Sequence, residues 1–290
     1  MSNTNYNDIA SIMTDIRKAA PREDLHSWMT AHPARVYRDL IISWVCIIAA
    51  LVALSFVHHW WMYLTAFLVI GASQYALFIQ GHDAIHGSLH PITKINDRLA
   101  KWFIHGPMFM GFDDGKRNHL EHHRTLGTEA DPDRYLHVLS NKNSKTGFLL
   151  FCSGLATFGK TVLKVTPFGK MLDSASQQKQ KLAREDQEST SILRVLLVYI
   201  RQRVPVIVAQ ILILSLFLGL RLPFWSYFVL WVAPIYFCVF LADEIRAFCD
   251  HAVPAMSDVQ ADPYRLITFR PMWLEALFLS PRNMNYHAEH

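Results

Sequence analysis

Charged residues are scarce in this sequence. Asp, Glu, Lys and Arg make up 18% of its 290 residues, against about 25% in an ordinary soluble domain, while hydrophobic types reach 51%. That balance excludes a disordered chain and fits a water-soluble enzyme poorly. The net charge of +4 is too small to point to a nucleic-acid partner. Cysteine is sparse as well. Cys46, Cys152, Cys238 and Cys249 form no C-x-x-C pair, and Cys46 and Cys238 fall inside apolar runs. This is the pattern of buried thiols rather than of a secreted disulfide scaffold. Residues 1–39 carry both signs of charge and lack a short apolar core before a small-residue cleavage site, so no signal peptide is expected. Ile9, Ile12, Met13 and Ile16 recur there at helical spacing, which predicts an amphipathic helix packed on the protein or on a membrane surface.

Four stretches contain no Asp, Glu, Lys, Arg or His at all: residues 40–57, 60–80, 204–220 and 223–242. A run of about 20 apolar residues spans a bilayer core of roughly 30 Å. The expected architecture is therefore all-α and integral to a membrane, with four transmembrane helices in two hairpins and a histidine-rich helical cap. His58 and His59, beside Trp60 and Trp61, link the first pair, and Arg221 and Leu222 link the second. Pro205 is expected in the first turn of the third span or at a kink. Five Lys or Arg precede residue 40, 18 lie in residues 81–203 and four follow residue 242, whereas the two hairpin turns share one, Arg221. The positive-inside rule then puts both termini and the cap in the cytoplasm. The chain reads as one domain: a cytoplasmic segment 1–39, a membrane hairpin 40–80, a cytoplasmic and interfacial segment 81–203, a second hairpin 204–242 and a cytoplasmic segment 243–290. Residues 102–112 and 148–172 are apolar enough to lie along the membrane surface, and 173–190 is polar enough for a loop or solvated helix.

Histidine is abundant, with 15 residues, and it clusters. His82 and His86 lie in GHDAIHGS; His119, His122 and His123 in NHLEHHRT; His287 and His290 in NYHAEH; and His251 follows the last apolar run in CDHA. Spacings of three and four place side chains on one helical face, so each cluster can aim its imidazoles at one point. Imidazole suits iron, copper and zinc. All the clusters fall on the same expected side of the membrane. His26, His32, His90, His105 and His137 are isolated and expected not to ligate metal.

The three clusters, in this order and among these apolar runs, resemble the membrane fatty acid desaturases, whose boxes read HxxxH, HxxHH and HxxHH; ADPDRY and CDHA also look like family features. The resemblance implies a non-haem di-iron centre, with two irons and O2 as cofactors. It implies His82, His86, His119, His122, His123, His251, His287 and His290 as the ligands, with no catalytic side chain beyond them. The implied reaction is oxygen-dependent desaturation of a fatty acyl chain, its implied partners being a lipid substrate in the membrane and a separate ferredoxin-like or cytochrome b5-like electron donor. Hydroxylases and carotenoid ketolases share the pattern and form the alternative. A metal transporter is disfavoured because the four runs hold no ionisable residue, and a zinc site because eight histidines exceed the needs of one zinc. The third box stops at His290, before the second of its expected adjacent histidines, which reads as a fragment whose 290-residue form would be inactive. Asp83, Glu121, Asp250 and Glu289 neighbour ligand histidines and could orient them.

Overall fold

The computed structural model of the chain describes residues 32–125, 145–153, 192–251, 270–278 and 281–284, with positions 18, 21, 23, 132 and 155; in 192–251, side chains are described from 203 to 246. Among these residues every regular element is helical. The expected amphipathic helix near Ile9 and the polar stretch 173–190 lie outside them.

Helix α1 (Pro33–Phe56) opens on a proline, which fits the first turn because its missing N–H would have no intrahelical partner there. It ends at the extended backbone of Val57, and after His59 the chain enters α2 (Trp60–Ile85). Helix α3 (Thr93–Leu99) runs into a π-helical turn (Ala100–His105), followed by α4 (Phe112–Thr125), α5 (Lys145–Cys152) and α6 (Ile192–Gly219). A short α7 (Phe224–Tyr227) continues through π-helical segments Phe228–Val232 and Ile235–Phe240 into α8 (Leu241–His251). Helix α9 (Trp273–Phe278) and a 3-10 turn (Pro281–Asn283) follow.

Three helices among the described residues are long and apolar enough to cross a membrane: Pro33–Phe56, Trp60–Ile85 and Phe224–Arg246. The shortest has 23 residues, a length of about 35 Å at 1.5 Å per residue. The third expected span falls in α6, whose apolar described part is the shorter Arg203–Gly219. That helix begins at Ile192, so Pro205 sits well inside it rather than in its first turn. The sequence before the proline, rich in Leu and Arg, favours helix and carries it upstream.

Helix α2 is the axis of the molecule. It packs against α1, the turn Ala100–His105, α4, both later π-helical segments and the turn Pro281–Asn283. Ile47, Leu51 and Leu54 of α1, Ile70 and Leu77 of α2, Phe217 of α6, and Leu230 and Trp231 fill the shared core. Ile41, Val45, Leu64, Ile211 and Phe228 face outward, as a lipid-facing surface requires. The helices approach closely at Gly71, where a Cβ would stand 2.5 Å from Cys238 Sγ.

Backbone carbonyls that leave regular helix find side-chain donors, a condition for irregular backbone at membrane depth. Trp231 Nε1 donates to Pro107 O at 3.1 Å, and Gln210 Nε2 donates to Gly106 O and Pro107 O at 3.1 and 2.9 Å. Tyr227 Oη donates to Gln210 Oε1 at 2.8 Å. Gln74 Nε2 reaches Trp231 O at 3.2 Å, close to Pro234, which has no N–H to give the preceding turn. Residues 102–112 expose Trp102, Phe103 and Phe109 and bury Ile104, Met108 and Phe112, a two-faced arrangement.

Candidate metal centre

The last turn of α2 carries the first histidine box. Its end is fixed by a Schellman motif: Ser88 N–H donates to Asp83 O at 2.9 Å and Gly87 N–H to Ala84 O at 3.0 Å. Gly87 has φ 77°, a conformation in which a Cβ is strained. Buried Asn96 of α3 secures the same corner, donating to Ala84 O at 2.8 Å and accepting from Leu89 N–H at 3.1 Å. His82 is buried within α2, and His86 caps it.

The second box lies on α4, which packs against α2 and the turn Ala100–His105. Asp113 and Asp114 occupy its first turn and His122, His123 and Arg124 its last, a distribution that complements the helix dipole. Asp113 is paired with Lys101 at 2.8 Å and Asp97 with Lys116 at 3.5 Å, tying α4 to the neighbouring elements.

These placements bring two boxes together. Ligand atoms of His82, His86, His119 and His123 all lie within 4.8 Å of one another. His119 Nε2 is 3.1 Å from His86 Nε2 and 2.9 Å from His123 Nε2. The rings of His82 and His119 meet edge to face at 4.4 Å. Two nitrogens bound at right angles to one ion, each at about 2.1 Å, stand about 3.0 Å apart. The observed separations therefore fit shared coordination of a cation, and four imidazoles suit a transition metal rather than calcium or magnesium. His122 is buried but stands outside this group of four, its ring 5.9 Å from that of His119 and 5.6 Å from that of His123. His287, His290 and the side chain of His251 lie outside the described residues.

Of the isolated histidines, His90 and His105 have other surroundings, and His26 and His137 lie outside the described residues. His90 Nδ1 accepts from Ile92 N–H at 2.9 Å. His105 is buried against Phe112, and burial lowers its pKa to about 4. Of the acidic neighbours, Glu121 pairs with Arg124 at 2.7 Å, whereas Asp83 interacts electrostatically with Arg282. Arg246 is buried and pairs with Asp243 at 2.7 Å; Glu244 is buried two residues beyond the last apolar run. Asn96 and Arg282 are the supporting residues that the histidine spacing does not single out. An X-Gly-Ser turn after the first box is the signal for a fixed corner, but its partner is set by tertiary packing.

The model of one protein family, described as Fatty acid desaturase, matches residues 58–290. The chain is 25% identical over 130 residues to an sn-2 acyl-lipid omega-3 desaturase (ferredoxin), chloroplastic, of Arabidopsis thaliana, covering 45% of this chain and 28% of that protein. It is 26% identical over 113 residues to an acyl-lipid omega-3 desaturase (cytochrome b5), endoplasmic reticulum, of the same plant, covering 39% and 28%. It is 32% identical over 122 residues to a beta-carotene ketolase of Paracoccus sp., covering 40% and 47%. The matched stretch spans less than a third of the length of the first two desaturase relatives. No solved structure matches.

Proposed function

The chain belongs to the fatty acid desaturase family, and we propose that it is an oxygen-dependent acyl-lipid desaturase with a histidine-held di-iron centre at the cytoplasmic edge of four membrane spans. The observation that carries this reading is the convergence of His82, His86, His119 and His123 from two helices onto one point. These four would hold metal, and His122, His251, His287 and His290 complete the proposed ligand set. The irons, when bound, supply the activation of O2 and the oxidising power needed to remove hydrogen from an unactivated methylene.

The chain supplies position and exclusion. The Schellman turn at Gly87 and the Asn96 bonds hold the first box at a fixed depth below the apolar run of α2. Salt bridges from Lys101 and Lys116 hold the acidic start and middle of α4, and so aim His119 and His123 across at His86. The apolar faces of α1 and α2 favour a substrate with a hydrocarbon tail drawn from the bilayer. The positive-inside rule places the site in the cytoplasm, and α6 supplies the fourth span. Electrons come from a separate ferredoxin-like or cytochrome b5-like protein, the donors named in two relatives' descriptions.

The likeness to a beta-carotene ketolase covers a larger share of that protein than the desaturase alignments cover of theirs. It supports a second reading, oxygenation of a carotenoid by the same centre. Expression of the protein with its third box complete, in a host supplied with a reductase, either electron donor and both lipid and carotenoid substrates, separates the two. New double bonds in fatty acid methyl esters, seen by gas chromatography and mass spectrometry, are expected. Keto or hydroxy carotenoids without new double bonds would transfer the assignment to the second reading, and neither product with iron-loaded protein would overturn both.

A further inference from the structure

A groove of about 450 Å³ runs along the outer face of the bundle between α1 and α6. Ile41, Val45 and Ile48 form one long wall, Leu212 and Leu216 form the other, and Ala209 and Ile213 are buried at its floor. Trp102, Phe103 and Pro107 close one end. That end is the one nearer the histidine boxes, because His105 of the same segment lies against Gly81, beside His82. The walls fall within the charge-free runs 40–57 and 204–220, so hydrocarbon rather than water is the surrounding medium. From Leu40 to Ile48 the helix rises about 12 Å, less than half of a bilayer core of roughly 30 Å. The groove thus belongs to one leaflet, the one on the histidine side.

Its inner side is closed by Trp44. That ring stacks on fully buried Trp231 with centroids 6.0 Å apart, and its Nε1 donates to Phe103 O at 3.1 Å. Gln210 and Trp231 both donate to Pro107 O, which fixes the closed end to α6 and the last span. None of His82, His86, His119 and His123 lines the groove, so a chain lying in it is held apart from the metal centre. At its mouth stands Arg38, three residues before Ile41 and therefore on the same face of α1. Among the described residues the Arg38 guanidinium is hydrogen-bonded by Asp39 alone, through Nε at 2.9 Å, and that carboxylate is shared with Arg282. The remaining Arg38 donors can meet an anionic oxygen at the membrane surface.

Resting on the membrane reading of the spans and not on the chemistry of the centre, we propose that this groove binds one hydrocarbon tail of a resident phospholipid of that leaflet, with the phosphate at Arg38. The lipid is structural and is not the reacting substrate. Helices in a bilayer have no hydrophobic drive to close on one another, and an unfilled gap would deprive its lining of dispersion contacts on one side. A lipid tail supplies those contacts, and the volume falls within the range of sites for a single small ligand.

The test is the phospholipid that the full chain keeps after extraction and washing in detergent, counted against protein by mass spectrometry. The unaltered chain is expected to keep about one per monomer, since a single groove of this size holds about one tail. Val45 is 56% exposed, so Val45→Trp fills the groove without disturbing the core and should weaken retention about tenfold. Arg38→Gln should weaken retention of an anionic phospholipid about fivefold. Leu64→Trp, on an outward-facing position of α2 outside the groove, should change nothing. Undiminished lipid on Val45→Trp, equal loss from Leu64→Trp, or no phospholipid on the unaltered chain would overturn the site. A dimer that Val45→Trp dissociates in size-exclusion chromatography would assign the groove to a second copy of the chain and overturn it as well. Release of the unaltered chain from membranes by alkaline carbonate would instead sink the membrane reading itself.

Discussion

His119 Nε2 stands 3.1 Å from His86 Nε2 although 33 residues separate them in the chain. Neutral imidazoles gain at most one hydrogen bond from such a meeting, and the further approach of His82 and His123 crowds four rings into one point. A cation is the arrangement that satisfies all four at once. Replacing His86 or His123 by Ala should therefore lower iron content and abolish product formation while the protein still inserts and stays monodisperse. Iron analysis of purified protein checks it, and full iron occupancy in either variant would contradict the assignment.

The corner that holds His86 should be sensitive to small changes. Gly87→Val forces a β-branched side chain to φ 77° and is expected to cost about 1–2 kcal/mol, with Gly87→Asn milder because asparagine tolerates this region. Asn96→Ala leaves the buried Leu89 N–H without its acceptor, at about 1–3 kcal/mol. Thermal unfolding in detergent would rank them. Equal stability of the Val and Asn variants would argue against the left-handed turn.

Packing between α2 and the last span offers a sharper comparison. A Cβ at Gly71 would lie 2.5 Å from Cys238 Sγ and 2.7 Å from its Cβ, and overpacking of this kind costs about 1–3 kcal/mol. Because the Cβ of residue 238 clashes as well as its sulfur, Cys238→Ala should not rescue Gly71→Ala, whereas Cys238→Gly should recover part of the loss. Melting temperatures of the single and double variants decide it. Full rescue by alanine would mean that the two helices stand further apart.

What the sequence made legible follows from the kind of signal each feature leaves. Apolar runs and helical histidine spacing are local, and they locate α1, α2, the last long helix and the two boxes that meet. The spacing of the second box does not separate His122 from its neighbours, because three imidazoles within one and a half turns share a face to within about 100° per residue. Which two cross to His86 depends on how α4 rolls against α2. Asn96 and Arg282 were invisible for the same reason: each is an ordinary polar residue whose partners, Ala84 for one and Asp39 and Ala76 for the other, come from elements far away in the chain or from backbone. The apolar run does not mark the start of α6, because helix propensity continues upstream of Pro205 where the run stops.

Orientation can be read with single cysteines in a background lacking the native four. A cysteine at Arg221 should react with a membrane-impermeant maleimide added to intact cells, and one at Lys94 only after permeabilisation, since the positive-inside rule puts the turn outside and the histidine boxes inside. Labelling of both positions in intact cells, or of Lys94 alone, would reverse or break the four-span arrangement.

His105 gives the pH dependence a defined sign. It is buried beneath Gly81, where a Cβ would come within 2.7 Å of its Cε1, and desolvation lowers its pKa from 6.5 to about 4. Between these values the unfolded chain binds a proton that the folded chain refuses, so falling pH favours unfolding. The stability His105 contributes as a neutral ring is thus complete above about pH 6.5, is lost progressively down to about pH 4, and changes no further below that. A shift of this size corresponds to roughly 3 kcal/mol. His105→Gln keeps a donor for the neighbouring backbone but does not titrate, so its melting temperature should fall less steeply than that of the unaltered protein across this window. The two curves should run parallel above pH 7, where neither side chain takes up a proton. Parallel curves through pH 4 to 6.5 as well would mean that His105 is hydrated and titrates near its ordinary value.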